Sequence, residues 1–390
     1  MNNQFEKHHF PMQNLIAKQT IVLLQEYIQS LGFKAVIHFE LEGCYSFAKQ
    51  DANKKLNFSA VNRTLQSLNI DGELVPEYWK NQWEYVSQFN GQSPLKEADN
   101  LAYVIANLPE IFSRQGVEHT LIKPVIWSGD QGKLGIDCHN IFITDNRAVH
   151  IPNAVQINVS VLNSKNENIV AETSFGDNLQ QAFLQTSLAC SLLYLPEEEA
   201  FERLALKTRY GLAQELCSPV DISGGHQGSI ALYKEVGKHN QAMGVKTLLV
   251  DLHNNALISE SNWQETARIE HRLGASSLHY CPYINVVFAL LNVIDAINTF
   301  QNPPALLVDY PNTNLPKSLK PTDQDIGAIA MFEVSDWFNN SINVIQSIFL
   351  GEIKKALTIE KIKGELPENI GDKLKECILS KYQQMNKIIY

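Results

Sequence analysis

The stretch Arg268-Ile269-Glu270-His271-Arg272, followed by Cys281-Pro282-Tyr283 and an apolar run reaching Asp295 and Ile297, decides how this chain is read. Side chains alternate across a strand, so Arg268, Glu270 and Arg272 share one face while Ile269 and His271 share the other. One carboxylate between two guanidiniums is a polyanion site in miniature, because each guanidinium can grip phosphate or carboxylate oxygens in pairs. The apolar run after Cys281-Pro282-Tyr283 predicts a helix.

With 390 residues, 44% of them hydrophobic, the chain can bury a substantial core. Its formal charge of -10 argues against a nucleic-acid backbone or an anionic membrane as main partner, since both attract basic surfaces. The opening Met1-Asn2-Asn3-Gln4-Phe5-Glu6 is too polar for a signal peptide, and the apolar run from Val286 to Ile294 falls short of a spanning helix. A cytoplasmic protein is therefore expected. Cys44, Cys138, Cys190, Cys217, Cys281 and Cys377 are scattered without a Cys-x-x-Cys pair, which indicates neither a zinc knuckle nor a disulfide framework.

Working outward, Leu15, Ile21, Leu24, Ile28 and Leu31 follow helical spacing, and Gly32 supplies a stop. Phe33 to Phe39 is rich in β-branched and aromatic residues and runs into Glu40-Leu41-Glu42, placing both carboxylates on one strand face. Like charges so placed repel unless a cation bridges them; a solvated face is the plain alternative for that pair taken alone. No pattern is clear in the loop that follows. Glu77 to Val86 returns to strand character, with Gln82, Glu84 and Val86 on one face. A helix is expected from Ala98 through Phe112, interrupted at Pro109 and closing near Gly116. Gly135 to Phe142 places Asp137 and His139 on one face, where a structural histidine is the alternative for His139. Phe142 to Val161 reads as a hairpin plus a strand, Gln180 to Cys217 as helical, Gly224 to Gly228 as a flexible loop and Lys246 to Leu252 as a strand. From Asp336 to Tyr390 the pattern is helical, with a restart at Pro367.

Taken in order, these segments resemble the catalytic domain of glutamine synthetases. The organising unit is similar to that family's Arg-Ile-Glu-x-Arg strand with Asn-Pro-Tyr and a long helix behind it, Cys281 standing where the family has Asn. Glu77-Tyr78-Trp79-Lys80-Asn81-Gln82-Trp83-Glu84 resembles Glu-x-x-Pro-x-Gln-Trp-Glu. Thr120 to Pro124, with Lys123, resembles Thr-Phe-x-Pro-Lys-Pro, and His139 matches the second histidine of Gly-Met-His-x-His, with Asp137 in place of the first. Leu315-Pro316-Lys317-Ser318-Leu319 resembles a late Leu-Pro-x-Ser-Leu segment, so the likeness spans roughly Ala35 to Leu319.

The resemblance implies an α+β glutamine synthetase-like catalytic fold: a curved antiparallel sheet with a polar concave face, backed by helices. It implies a catalytic domain over 33-335, flanked by an N-terminal helical segment 1-32 and a C-terminal helical extension 336-390, without the family's N-terminal β-grasp domain ahead of the acidic strand. It further implies roughly two or three ions of magnesium or manganese, with ATP as co-substrate. Glu42, Glu77 and Glu84 would hold one ion, and Glu40, Asp137 and Glu270 the second. Arg272 and His139 would be catalytic and face the substrate, while Arg268 and Lys123 would approach the nucleotide. Glu235 falls where the family has an arginine that grips an amino-acid carboxylate, and it suits a cationic group. Gln241 falls near the position of the flap carboxylate, and a neutral amide cannot be a general base. The expected chemistry joins a small-molecule carboxylate to an amine other than free ammonium through an acyl phosphate, in a chain that could form a homo-oligomer. The alternative is a metal-binding relative without ligase activity, acting as a regulator or in another metal-dependent reaction.

Overall fold

A computed structural model describes residues 11–51, 53–88, 90–127, 150–172, 174–205, 215–216, 222–223, 226–227, 229–234, 247–250, 256–259, 266–303, 313–323, 325–360, 362 and 364–388. Helix α1 (Pro11–Ser30) buries Ile16, Ala17, Ile21, Leu24 and Ile28, the stripe its spacing requires. Just beyond it, Gly32 takes a φ of +86°, a left-handed turn that glycine adopts without a Cβ penalty. The chain then enters β1 (Phe33–Phe47), a strand of 15 residues.

Strand β1 is the spine of a seven-stranded antiparallel sheet. Along one edge it pairs β3 (Gln82–Ser87), which pairs β2 (Gly72–Pro76) in turn. Its other edge carries β5 (Ala154–Asn163) over Phe33 to Leu41 and β4 (Val117–Leu121) over Cys44 to Phe47. Beyond β5 lie β7 (Arg268–Ala275) and then β6 (Ile230–Tyr233).

Alternation gives the sheet two chemically distinct faces. Ile37, Phe39 and Leu41 of β1, Val155, Ile157, Val159 and Val161 of β5, and Ile269 and Leu273 of β7 are buried in one hydrophobic core. Helices cover that side: α2 (Pro94–Ser113), α3 (Phe175–Ser187) and α1 pack on α5 (Pro282–Gln301). Burying each large apolar side chain contributes about 1.5–3 kcal/mol, so the alternation fixes which face turns inward. Helix α5 is long and apolar enough to cross a membrane by length and composition, longer than the run expected from the sequence. Its side chains from Pro282 to Ile294, however, are buried inside the fold. The same core takes in α6 (Trp337–Ile359) and α7 (Ile370–Ile388), the helices expected on either side of Pro367.

Four local expectations change. Glu77 to Val86 is not one strand: Glu77 to Asn81 forms the turn of the β2–β3 hairpin, closed by hydrogen bonds between Gln82 and the Trp79 backbone. Asn81 there has a φ of 63°, which an asparagine tolerates. The patternless loop before it contains the helix Phe58–Ser67 and β2. Helix α2 starts early, at a Ser93 cap, and runs straight through Pro109. The buried neighbours Leu108, Ile111 and Phe112 outweigh the amide bond that proline removes. Gln180 to Cys217 is not one helix: α3, Ser191–Tyr194 and α4 (Glu198–Ala205) are separate, and Pro196 interrupts the helical hydrogen bonding between the last two. Residues Glu215–Leu216 are extended and pair Thr313–Asn314.

Candidate functional site

The second face of the sheet is polar where the first is apolar. Register places Glu84 directly opposite Glu42 on β1–β3, Gln156 opposite Glu40 on β1–β5, and Asn158 opposite Glu270 on β5–β7. Glu40, Glu42, Glu84, Gln156, Asn158, Glu270, Arg268 and Arg272 therefore lie on one side. Glu77 stands at the hairpin turn, its N–H donating to the Gln82 carbonyl.

Glu270 is 2% exposed and sits between its strand neighbours as the sequence spacing requires. Arg268 Nη2 lies 3.2 Å from Glu270 Oε2 and Arg272 Nε 3.4 Å from Oε1. Asn158 extends this chain of contacts: its Oδ1 accepts from Arg268 Nε at 2.7 Å and its Nδ2 donates to Glu40 at 3.0 Å. The Arg268 guanidinium also lies over the Tyr233 ring, 4.8 Å from its centroid. His271, on the opposite face, is a core residue. Its Nε2 is 3.1 Å from Ser187 Oγ, and burial holds its pKa down to about 3, keeping the imidazole neutral.

Glu42 is a strongly perturbed carboxyl. Burial foremost pushes its pKa up to about 7; Glu77 and Glu40 add to the rise, against the Ala154 N–H and Arg203. The Ala154 amide donates to its Oε2 at 2.8 Å. Arg203, from α4, is 1% exposed and donates to the carbonyls of Leu273 and Arg272. Burial lowers its pKa to about 10, with Glu42 opposing that fall. Sequence reading missed Arg203 because Glu198-Glu199-Ala200-Phe201-Glu202-Arg203 has the look of an ordinary solvated helix face. Asn158 and Gln156 did leave a signal, polar residues two apart within the apolar run Val155 to Val161.

Lys123 follows β4, and its carbonyl accepts from Asn153 Nδ2 at 3.0 Å. Its charge acts on Glu197, whose carboxyl is raised chiefly by burial and lowered by Ser277, Lys123 and Lys381. Asp137, His139, Glu235 and Gln241 lie outside the described residues.

Among the described residues, no three carboxylate, histidine or cysteine side chains converge closely enough to hold an ion. Glu40, Glu42 and Glu270 instead accept protein donors. The donor chemistry of Glu42, Glu77 and Glu84 nevertheless fits a hard divalent cation: the side-chain donors are oxygens alone, Glu42 and Glu84 are cross-strand neighbours, and the Glu42 carboxyl is held high chiefly by burial and further by Glu77 and Glu40. Glu270 fits less directly, since two arginines already balance it.

The molecule is thus an α+β protein with an open antiparallel sheet, helices on its apolar face and a carboxylate–arginine array on the other. Its fold is glutamine synthetase-like. It superposes on a novel glutamine synthase homolog with a TM-score of 0.57 at 13% identity, over 93% of this chain and 75% of that one. Ligand-free GmaS gives a TM-score of 0.55 at 11% identity, over 90% of this chain and 75% of that one. A GmaS complex with ADP gives 0.50 at 11% identity, over 90% and 76%. No protein-family model and no curated protein matches the sequence.

Proposed function

We propose that this protein is a glutamine synthetase-like ligase that uses ATP, with magnesium or manganese, to join a small-molecule carboxylate to an amine. The observation that carries this reading is the single-faced array of Glu40, Glu42, Glu84 and Glu270 with Arg268 and Arg272, in a fold shared with glutamine synthase homologs, one of which binds ADP. Glu42, Glu77 and Glu84 would hold one divalent ion and Glu40, Asp137 and Glu270 a second. Such ions neutralise the charge that develops on phosphate oxygens during transfer.

This chain's own residues would do the rest. Arg268, steadied by Asn158 and Tyr233, presents a guanidinium of fixed orientation to the nucleotide, and Lys123 contributes a second cation. Arg272 would orient a phosphate or substrate carboxylate, while the charge of the buried Arg203 acts on Glu42. The substrate carboxylate oxygen attacks the γ-phosphorus and ADP leaves; the amine nitrogen then attacks the acyl carbon, phosphate leaves and the amine loses a proton. His139 would act at the substrate, Glu235 would suit a cationic group on it, and Gln241 supplies no base for ammonium, which points to another amine.

The test is ADP release from ATP in the presence of acid and amine pairs. Release that requires both partners and a divalent ion supports the ligase. A second reading, a metal-binding relative without ligase activity, draws on the pairing of both Glu270 oxygens by arginines; it predicts metal binding with no pair-dependent ADP release.

A further inference from the structure

The turn between β7 and α5 joins the polar face to the C-terminal helix. Ser276 Oγ donates to the Glu42 carbonyl at 2.6 Å, and the Ser276 N–H donates to the Asn153 carbonyl at 3.1 Å. Asn153 also receives Gln82 Nε2 of β3 at 3.1 Å, so one turn gathers the backbone of β1 and, through Asn153, the start of β3. Ser276, Ser277 and Asn153 are fully buried. Within the turn, Ser277 Oγ accepts the His279 N–H at 3.0 Å and contacts Glu197 Oε1. Lys381 of α7 closes the arrangement from outside: it is only 6% exposed and its Nζ donates to the His279 carbonyl at 2.9 Å.

A buried lysine is an expensive way to hold a helix against a domain, because its charge must be desolvated. An apolar residue would pack there at lower cost. What Lys381 adds is a directed charge-assisted bond to one carbonyl of one turn, with Glu197 as the neighbouring counter-charge. The turn in question is the one whose Ser276 bonds the Glu42 backbone carbonyl.

We propose that Lys381 is a positioning residue: from the C-terminal helix it locks the Ser276–Tyr280 turn, and through Ser276 it holds the β1 backbone at Glu42 in register with Glu84. The consequence for cation binding rests on the ligand role proposed for Glu42, Glu77 and Glu84; the brace on the backbone does not. Ligands aligned from behind in this way typically lose about ten- to a hundredfold in metal affinity when the supporting group is removed.

The experiment compares Lys381→Met with Lys375→Met, reading amide hydrogen exchange and manganese affinity on the full chain. Lys375 is a control from the same helix, 9% exposed and bound to the Ser335 carbonyl at 2.7 Å, away from the turn. Lys381→Met is expected to speed exchange at 40–44 and 276–280 while 284–297 stays protected, and to weaken manganese binding about tenfold. Lys375→Met is expected to lower thermal stability without touching 40–44. Unchanged exchange at 40–44 in Lys381→Met, or the same change in both variants, overturns the brace. Faster exchange at 40–44 in a protein whose parent form binds no manganese would retain the brace and reject the cation site. Faster exchange with unaltered manganese affinity would retain the brace on the backbone and overturn its consequence for cation binding.

Discussion

Glu42 concentrates the tension of the site in one side chain. Its pKa stands at about 7 against an ordinary value of 4.5, so the fold favours the protonated form. Its stabilising contribution is full below the unfolded pKa and is lost as pH rises through about 7, since the unfolded chain releases that proton earlier. With divalent ions chelated, Glu42→Gln should therefore gain stability over the parent between about pH 4.5 and 7 and hold a constant advantage above that, as urea melts across this range would read. A parent whose stability relative to the variant rises with pH would reverse the assignment. Glu84 and Glu270 should behave differently from each other. Glu84→Ala removes an oxygen donor from the partly exposed hairpin and should abolish divalent-ion binding while leaving the fold intact. Glu270→Ala removes the buried counter-charge that two guanidiniums share and should cost about 3–5 kcal/mol, visible as a lowered denaturation midpoint. Equal stability losses in the two variants would contradict this contrast.

Among the elements, those with a period to read were legible. Strand β7 and helix α5, strand β1 and helix α1 all follow from alternation or helical spacing, and the carboxylates fall on the polar face because strand geometry leaves them no other place. What escaped had no period. The Glu77 to Asn81 turn is set by one asparagine at positive φ and by Gln82 folding back on Trp79, in a stretch whose aromatic content imitates a strand. Arg203 reaches the site only through tertiary packing of α4 on β7, which no local pattern encodes. Packing at Gly43 illustrates the same limit: a Cβ there would lie 2.3 Å from the Trp83 ring and 2.7 Å from the Leu121 carbonyl. Gly43→Ala should cost about 1–3 kcal/mol in a thermal or chemical melt. It should also disturb the Glu42–Glu84 register next to it, so that divalent-ion affinity falls together with stability. A neutral Gly43→Ala would show that the β1–β3 contact is looser than described.

At the scale of the whole molecule, the terminal helices are integral to the core that supports the site. Trp337, opening α6, donates its indole N–H to Asp295 of α5 at 2.8 Å, and burial raises the Asp295 carboxyl. Trp337→Phe should leave that carboxylate without its donor at a cost of about 1–3 kcal/mol, lowering the thermal midpoint without changing ion affinity. The sheet topology and the helices behind it bring together residues from positions 40 to 272 that sequence alone could only assemble by likeness to a family. The central claim, that this assembled face receives a metal nucleotide, is tested most directly by calorimetric titration of ATP into the protein with magnesium or manganese and again with EDTA. The account predicts binding that requires the divalent ion and disappears with EDTA; divalent ions that bind while ATP does not would contradict it.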